Sequence, residues 1–176
     1  MDDTNYVFFW KPHEENGYLG QWYPAPFIAT SNADTPDEII TFRNCETYMM
    51  YHKAILFNDL ETAQRILDAA DDPKAVKALG RKVRDFVEST WDDWKYDIVV
   101  EGNRQKFQQN PELKALLLAT GQKELVEASP LDRIWGVGYG KVKALENRSK
   151  WGRNLLGRAL MKVREELKEQ NEKDQK

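Results

Sequence analysis

Four groups of residues in this 176-residue chain have the types and spacing to do chemistry. Glu46, Met50 and Lys53 stand at i, i+4 and i+7, one stripe of a helix, roughly opposite the apolar positions Cys45 and Tyr48. At a rise of about 1.5 Å per residue, the carboxylate and the amine lie about 10 Å apart along the axis, so they can flank a substrate but not touch. The same spacing also describes an exposed helix face. Glu127 sits in the apolar run Leu125-Val126-Glu127-Ala128-Ser129, where a buried carboxylate must be paired, hydrogen-bonded or functional. On pattern alone, plain alternation on a half-buried strand is the commoner reason for such a residue. Asp132 opens the turn that carries Trp135, Gly136 and Gly138, two glycines that let backbone approach a ligand or merely turn. Finally, Gly152-Arg153-Asn154 precedes a helix whose free N–H groups favour an anion, with Lys150 and Arg158 nearby. Asn154 can equally be an N-cap.

Other chemistries are poorly served. A single cysteine, Cys45, forms no internal disulfide, and one Cys with two His leaves transition metals without their usual ligands. No cofactor is expected, although carboxylates can still hold magnesium. The stretch from Gly152 to Gly157 lacks the Lys-Ser/Thr of a P-loop, and neither a nucleophile elbow nor a dinucleotide fingerprint is present.

The elements that must position these residues can be read in outline. Twelve of the 20 aromatic residues fall between Tyr6 and Phe57, an aromatic core or a stacking pocket. Tyr6 to Trp10 and Ile39 to Phe42 are strand candidates, with a polar turn at 31–37. Helices are expected from an N-cap at Asn44, after Asp59, over 74–88, over 91–108 and from Pro111 to a stop at Gly121. Residues 125–128 and 134–138 read as short strands or extended turns. Leu156, Leu160, Val163 and Leu167 stripe a last helix. The expected organisation is a flexible N-terminus at 1–5, one mainly α (α+β) domain over 6–167 with a small β component, and a charged, flexible tail at 168–176.

The net charge of −3 hides an asymmetry: residues 1–60 sum to −6 and residues 131–164 to +7. The basic stretch can meet phosphates or be a solvated surface. No signal peptide, transit peptide or apolar run of roughly 18 residues occurs, so an intracellular protein, cytoplasmic or nuclear, with no membrane partner is expected. Nothing in the sequence calls for more than a monomer.

Six strings, in order, resemble the NADAR, or YbiA-like, family: Tyr23-Pro24-Ala25-Pro26-Phe27; Glu46-Thr47-Tyr48-Met49-Met50 through Lys53-Ala54; Gly102-Asn103 with Lys106-Phe107-Gln108-Gln109-Asn110; Glu127-Ala128-Ser129; Asp132 to Gly138; and Trp151 to Gly157. Two departures, Gln21-Trp22 for the more usual Asn-Phe and Lys95 for Arg, bear on the base pocket and on phosphate contact. The resemblance implies an N-glycoside hydrolase that cleaves ribose C1 from an exocyclic amine. Two substrate classes follow from it: ADP-ribosylated guanine in DNA or RNA, or the phosphoribosylamino-pyrimidine intermediates of riboflavin synthesis. It also implies the site set: Glu46, Lys53, Glu127 and Asp132 for catalysis, with Trp22, Tyr23, Arg43, Asn103, Lys106, Trp135, Gly136, Arg153 and Asn154 for binding. Glu46 is the expected acid/base and Lys53 a Schiff-base candidate, with direct water attack left open. A module that binds ADP-ribose without cleaving it is the alternative from another class.

Overall fold

The computed structural model describes residues 4–31 and 38–174, so the predicted turn at 31–37 lies, beyond Ser31, outside the described residues, as do the extreme ends. The fold is mainly helical with two small sheets, and the chain forms two compact units. One is the contiguous stretch Pro24–Asn110; the other joins the residues up to Tyr23 with those from Pro111 onward. No helix among the described residues is long and apolar enough to cross a membrane.

The contiguous unit starts with a hairpin. Strand β2 (Phe27–Thr30) runs antiparallel to β3 (Ile39–Phe42), Phe27 facing Phe42. The Gln109 amide accepts from Ile28 N–H (2.9 Å) and donates to its carbonyl (2.7 Å), which closes the outer edge of β2 as a neighbouring strand would. Helix α1 (Cys45–Leu56) begins as predicted, with the Asn44 side chain accepting from Thr47 N–H (2.9 Å). Asp59 caps α2 (Leu60–Asp68), and Asp72 caps α3 (Pro73–Gly80), with Pro73 in its first turn. Helix α4 (Glu88–Gln109) completes the unit. All three helices pack on α1, which is buried on nearly every side from Cys45 to Tyr51. A helix surrounded in this way shows no clean polar face.

The predicted helix over 74–88 stops at Gly80. The reason is distant in sequence: the buried Asp59 carboxylate takes the Arg84 backbone N–H (2.9 Å) and its guanidinium (2.7 and 3.1 Å). Those bonds hold residues 81–87 out of the helix, with Asp85 in the left-handed region at φ 52°. Arg84 in turn keeps the Asp59 carboxyl well below the usual carboxylate range.

His52 is packed among the rings of Tyr48 (4.1 Å), Tyr51 (5.3 Å) and Phe42 (6.0 Å), and its Nε2 meets no hydrogen-bond partner among the described residues. Burial pushes this imidazole down to about 4. An unfolded histidine titrates near 6.5, so above that pH both states are neutral and nothing is lost. As the pH falls from 6.5 toward 4, only the unfolded chain takes up the proton, and stability drops by about 2 kcal/mol at pH 5. His52→Phe should flatten that dependence. Urea midpoints at pH 7.5 and pH 5 measure it, and an unchanged acid loss in the variant would assign the sensitivity elsewhere.

The discontinuous unit is organised around a parallel pair. Strand β1 (Tyr6–Phe9) pairs with β4 (Glu124–Glu127), Tyr6 opposite Glu124. Helix α5 (Pro111–Ala119) ends before Gly121, which adopts φ 61°. Helix α7 (Leu155–Asp174) lies on β4 through the predicted stripe of Leu156, Leu160, Val163 and Leu167. Gly157 makes that approach possible, since a Cβ there would stand 2.0 Å from the Leu125 carbonyl oxygen. The helix continues to Asp174, through the charged residues where a flexible tail is expected.

Helix α6 (Lys141–Ala144) and a 3-10 turn (Leu145–Lys150) occupy the basic stretch, where the sequence offers no apolar period. Part of its charge is spent inside the unit. Arg148 pairs with Glu124 (3.1 Å) and lies over Trp151 (4.2 Å), Lys141 pairs with Glu15 (2.8 Å), and buried Arg164 donates to Thr120 Oγ1 and the Lys123 carbonyl.

Candidate active site

Glu46 occupies the first turn of α1, where the helix dipole favours a carboxylate, and it is only 6% exposed. An exposed helix face is therefore not its explanation. One turn on, Met50 is buried against Gly80, where any Cβ would meet its Sδ at 2.0 Å. Lys53 ends the stripe. Its Nζ donates to the Gly80 carbonyl (2.8 Å) and lies 4.2 Å from the centroid of Phe86 and 5.4 Å from that of Trp91. Partial burial lowers the pKa of this amine, and the neighbouring Arg81 charge lowers it further. A depressed amine pKa is what a nucleophilic lysine requires.

The strings on α4 meet the start of α1. Asn103 is fully buried, donates to the Val99 carbonyl (2.9 Å) and accepts from the Cys45 thiol (3.6 Å). Lys106 is also fully buried; burial lowers its pKa while Cys45 opposes the shift. Burial pushes the Cys45 thiol up to about 11, with Lys106 lowering and Glu46 raising it. Cys45, Glu46, Asn103 and Lys106 thus form one buried polar cluster. Arg43, just before the cap, is exposed and pairs with Asp71 at 3.3 Å. Lys95 is buried and pairs with Asp92 one turn earlier on α4, so its charge is met within its own helix.

The remaining candidates lie in the other unit. Glu127 ends β4, half-buried, with its N–H donating to Asn154 Oδ1 (3.1 Å) and its carbonyl accepting from Val137 (3.0 Å). Asp132 Oδ1 accepts from Ile134 N–H (2.8 Å) and Trp135 N–H (2.7 Å), and so fixes the turn. Gly136 leaves no room for a Cβ beside the Glu127 carbonyl, 2.8 Å away. Asn154, at φ 49°, also donates to the Leu125 carbonyl (2.9 Å).

An anion cradle at the start of α7 does not survive this geometry. The N–H groups of Arg153, Asn154, Leu155 and Leu156 already donate to the carbonyls of Arg133, Gly136, Ile134 and Trp135. Asn154 therefore ties β4 to α7, while the Arg153 side chain is left exposed. Trp22 and Tyr23 follow a 3-10 turn (Gly17–Leu19) and are half-buried. Among the described residues no cluster of His, Cys, Asp and Glu has the makings of a metal site.

The structure thus gathers Glu46, Asn103 and Lys106 with Cys45 in one unit, with Lys53 two turns along α1. In the other it gathers Glu127, Asp132, Trp135, Gly136, Arg153 and Asn154 in one hydrogen-bonded knot. Sequence reasoning missed Gly80, Arg81 and Phe86 around Lys53. No local signal could have found them, because Gly80 is where α3 ends and Arg81 and Phe86 belong to the stretch that Asp59 holds out of the helix.

The NADAR domain family model matches residues 8–168. N-glycosidase R617 of Acanthamoeba polyphaga mimivirus is 44% identical over 171 residues, which cover 94% of this chain and 98% of that protein. Riboflavin biosynthesis protein VVA0006 of Vibrio vulnificus is 32% identical over 163 residues, 93% of this chain but 39% of that longer protein. Among solved structures, the NMR structure of Escherichia coli YbiA matches with a TM-score of 0.74 at 27% identity, covering 97% of this chain and 89% of that one.

Proposed function

We propose, since this chain belongs to the NADAR family, that it is an N-glycosidase that releases ADP-ribose from the exocyclic amino group of guanine in nucleic acid. The observation that carries the reading is the pairing, on one helix, of a buried carboxylate with a partly desolvated amine: Glu46 and Lys53. Breaking such a bond needs the leaving nitrogen protonated and the charge developing at ribose C1 met. Glu46 supplies the proton.

Lys53 offers a covalent route. The ribosylamine ring opens, the C1–O4 bond breaking as C1 and the exocyclic nitrogen form an imine and O4 takes a proton. Neutral Lys53 then adds to C1; its nitrogen gives up two protons and the exocyclic nitrogen gains two. Glu46 donates to the leaving nitrogen and takes a proton back from Lys53, so that guanine leaves with its amino group restored and a Lys53–C1 imine remains. Water hydrolyses that imine to the aldehyde, which recloses on O4. Every bond made is matched by one broken, and no oxidant or metal enters.

A second reading, hydrolysis of phosphoribosylamino-pyrimidines, is favoured by the match to a protein named for riboflavin biosynthesis. Incubation with ADP-ribosylated DNA separates the possibilities. Free ADP-ribose with restored guanine is expected, and activity should survive EDTA. Turnover of the pyrimidine intermediate alone would select the second reading. Tight retention without product would make the chain a reader of ADP-ribose. Activity lost to EDTA and restored by magnesium would place a cation in the reaction.

A further inference from the structure

Strand β1 has one open edge. In a parallel pair, alternate residues turn their backbone groups toward the partner strand. The Asn5 and Phe9 carbonyls accept from Glu124 N–H (2.9 Å) and Ala128 N–H (2.8 Å), so Asn5, Val7 and Phe9 face β4 while Tyr6 and Phe8 face away. On that outer side the Phe8 carbonyl accepts from the Asn16 amide at 3.1 Å. The Tyr6 N–H and C=O and the Phe8 N–H have no partner among the described residues. Backbone groups left open in this way are what a further strand pairs with.

This edge borders a cavity of about 530 Å³, within the usual range of ligand pockets. Tyr6, Val7 and Phe8 all line it. Successive side chains of a strand point to opposite faces, so three consecutive residues share one cavity only along the strand's edge. The rest of the lining comes from the two chain segments before and after β1, from α5 and the residues just after it, and from Lys141, all in the discontinuous unit. Flanked in this way, the edge admits a single extended chain, whereas the β1 edge of a second copy would bring its own flanking residues with it. The charge around the cavity is positive on balance. Lys123 is exposed in its lining, and its ammonium meets no carboxylate among the described residues. Buried Arg164 donates only to neutral acceptors there, Thr120 Oγ1 (2.8 Å) and the Lys123 carbonyl (2.9 Å), while Lys141 is matched by Glu15 (2.8 Å). Leu116, 49% exposed, adds an apolar contact.

We propose that the groove along β1 binds an extended acidic peptide by strand addition, its backbone pairing with Tyr6 and Phe8 and a carboxylate reaching Lys123. This is a site for a protein partner, and it does not depend on the proposed hydrolase reaction. The probe is an end-labelled hexapeptide of alternating Val and Glu, titrated by fluorescence anisotropy. Two further versions carry N-methyl groups on the Val amides or on the Glu amides. In an added strand only one of these sets faces β1, so one methylated version should bind about tenfold more weakly and the other within about twofold of the parent. Lys123→Gln should weaken binding about threefold at low salt and remove most of its salt dependence. Peptide should also slow deuterium exchange at the Phe8 amide about tenfold and leave Val7 and Phe9, already turned to β4, unchanged.

No binding at about 1 mM peptide, or equal binding by both methylated versions, would overturn strand addition. Protection of the Phe8 amide without peptide, growing with protein concentration as the mass doubles, would make a second copy the occupant and also overturn the proposal. The peptide comparisons use the unaltered chain, so no folding defect can imitate them, and a matching melting temperature clears Lys123→Gln of one.

Discussion

Glu46→Gln is expected to lower kcat by on the order of 10² or more, with KM nearly unchanged. Gln has the size and hydrogen-bonding reach of Glu, so the buried cluster with Cys45, Asn103 and Lys106 can keep its packing. What is lost is the proton that the departing nitrogen must receive. Because Lys106 sits fully buried in the same cluster, a melting curve should accompany the kinetics. A variant that stays folded, binds and fails to turn over identifies the acid. Full activity would move that role to the other unit, and Glu127 becomes the first choice there. Asp132 is the poorer replacement, since one of its oxygens already serves two backbone N–H groups.

Lys53→Arg should be nearly as damaging as Lys53→Ala. Arginine keeps the charge but cannot form an imine, so both variants should lose on the order of 10² or more in kcat. Borohydride should trap a sugar adduct on the unaltered protein and none on either variant. Retained activity in Lys53→Arg, with no adduct, would make the side chain an electrostatic ligand and leave attack to water. The pH profile gives a further check. The attacking amine must be neutral, so activity should rise with pH through the depressed pKa of Lys53. Arg81 contributes to that depression, so Arg81→Gln should move the rise to higher pH. Activity lost at neutral pH should then return on the alkaline side.

The parts of this fold that could be read in the sequence are those whose causes are local. Asn44, Asp59, Pro73, Pro111 and Gly121 mark helix ends by the hydrogen bonds or dihedrals of their own neighbourhood. The α7 stripe follows from periodicity alone. The failures share a different cause. The end of α3 depends on Asp59 reaching Arg84, and the burial of α1 on all sides depends on three other helices. Strand β2 was hidden because four residues between prolines and a turn carry no alternation to count, and its partner had to be known first.

The candidate site divides in the same way. The identities of Glu46 and Lys53 came from spacing and family strings, but the features that make them chemically unusual came from contacts remote in sequence. Residue type also misled within the basic stretch. Arg148, Lys141 and Arg164 carry the right charge for phosphate, yet each is engaged inside its own unit.

The pairing of β1 with β4 has a consequence for the order in which the chain acquires its structure. Tyr6 must find Glu124, more than a hundred residues downstream, so the discontinuous unit has high contact order and cannot close until late in synthesis. The contiguous unit has every partner it needs once Asn110 is made. Its own ends meet, with the Asn110 side chain donating to the Pro26 carbonyl at 3.1 Å. Once that contact forms, the flexible loop separating β1 from β4 shrinks to about thirty residues, a saving of about 1 kcal/mol in closure entropy. The inserted unit thus acts as a clasp: by folding first, it shortens the search by which the outer unit completes itself.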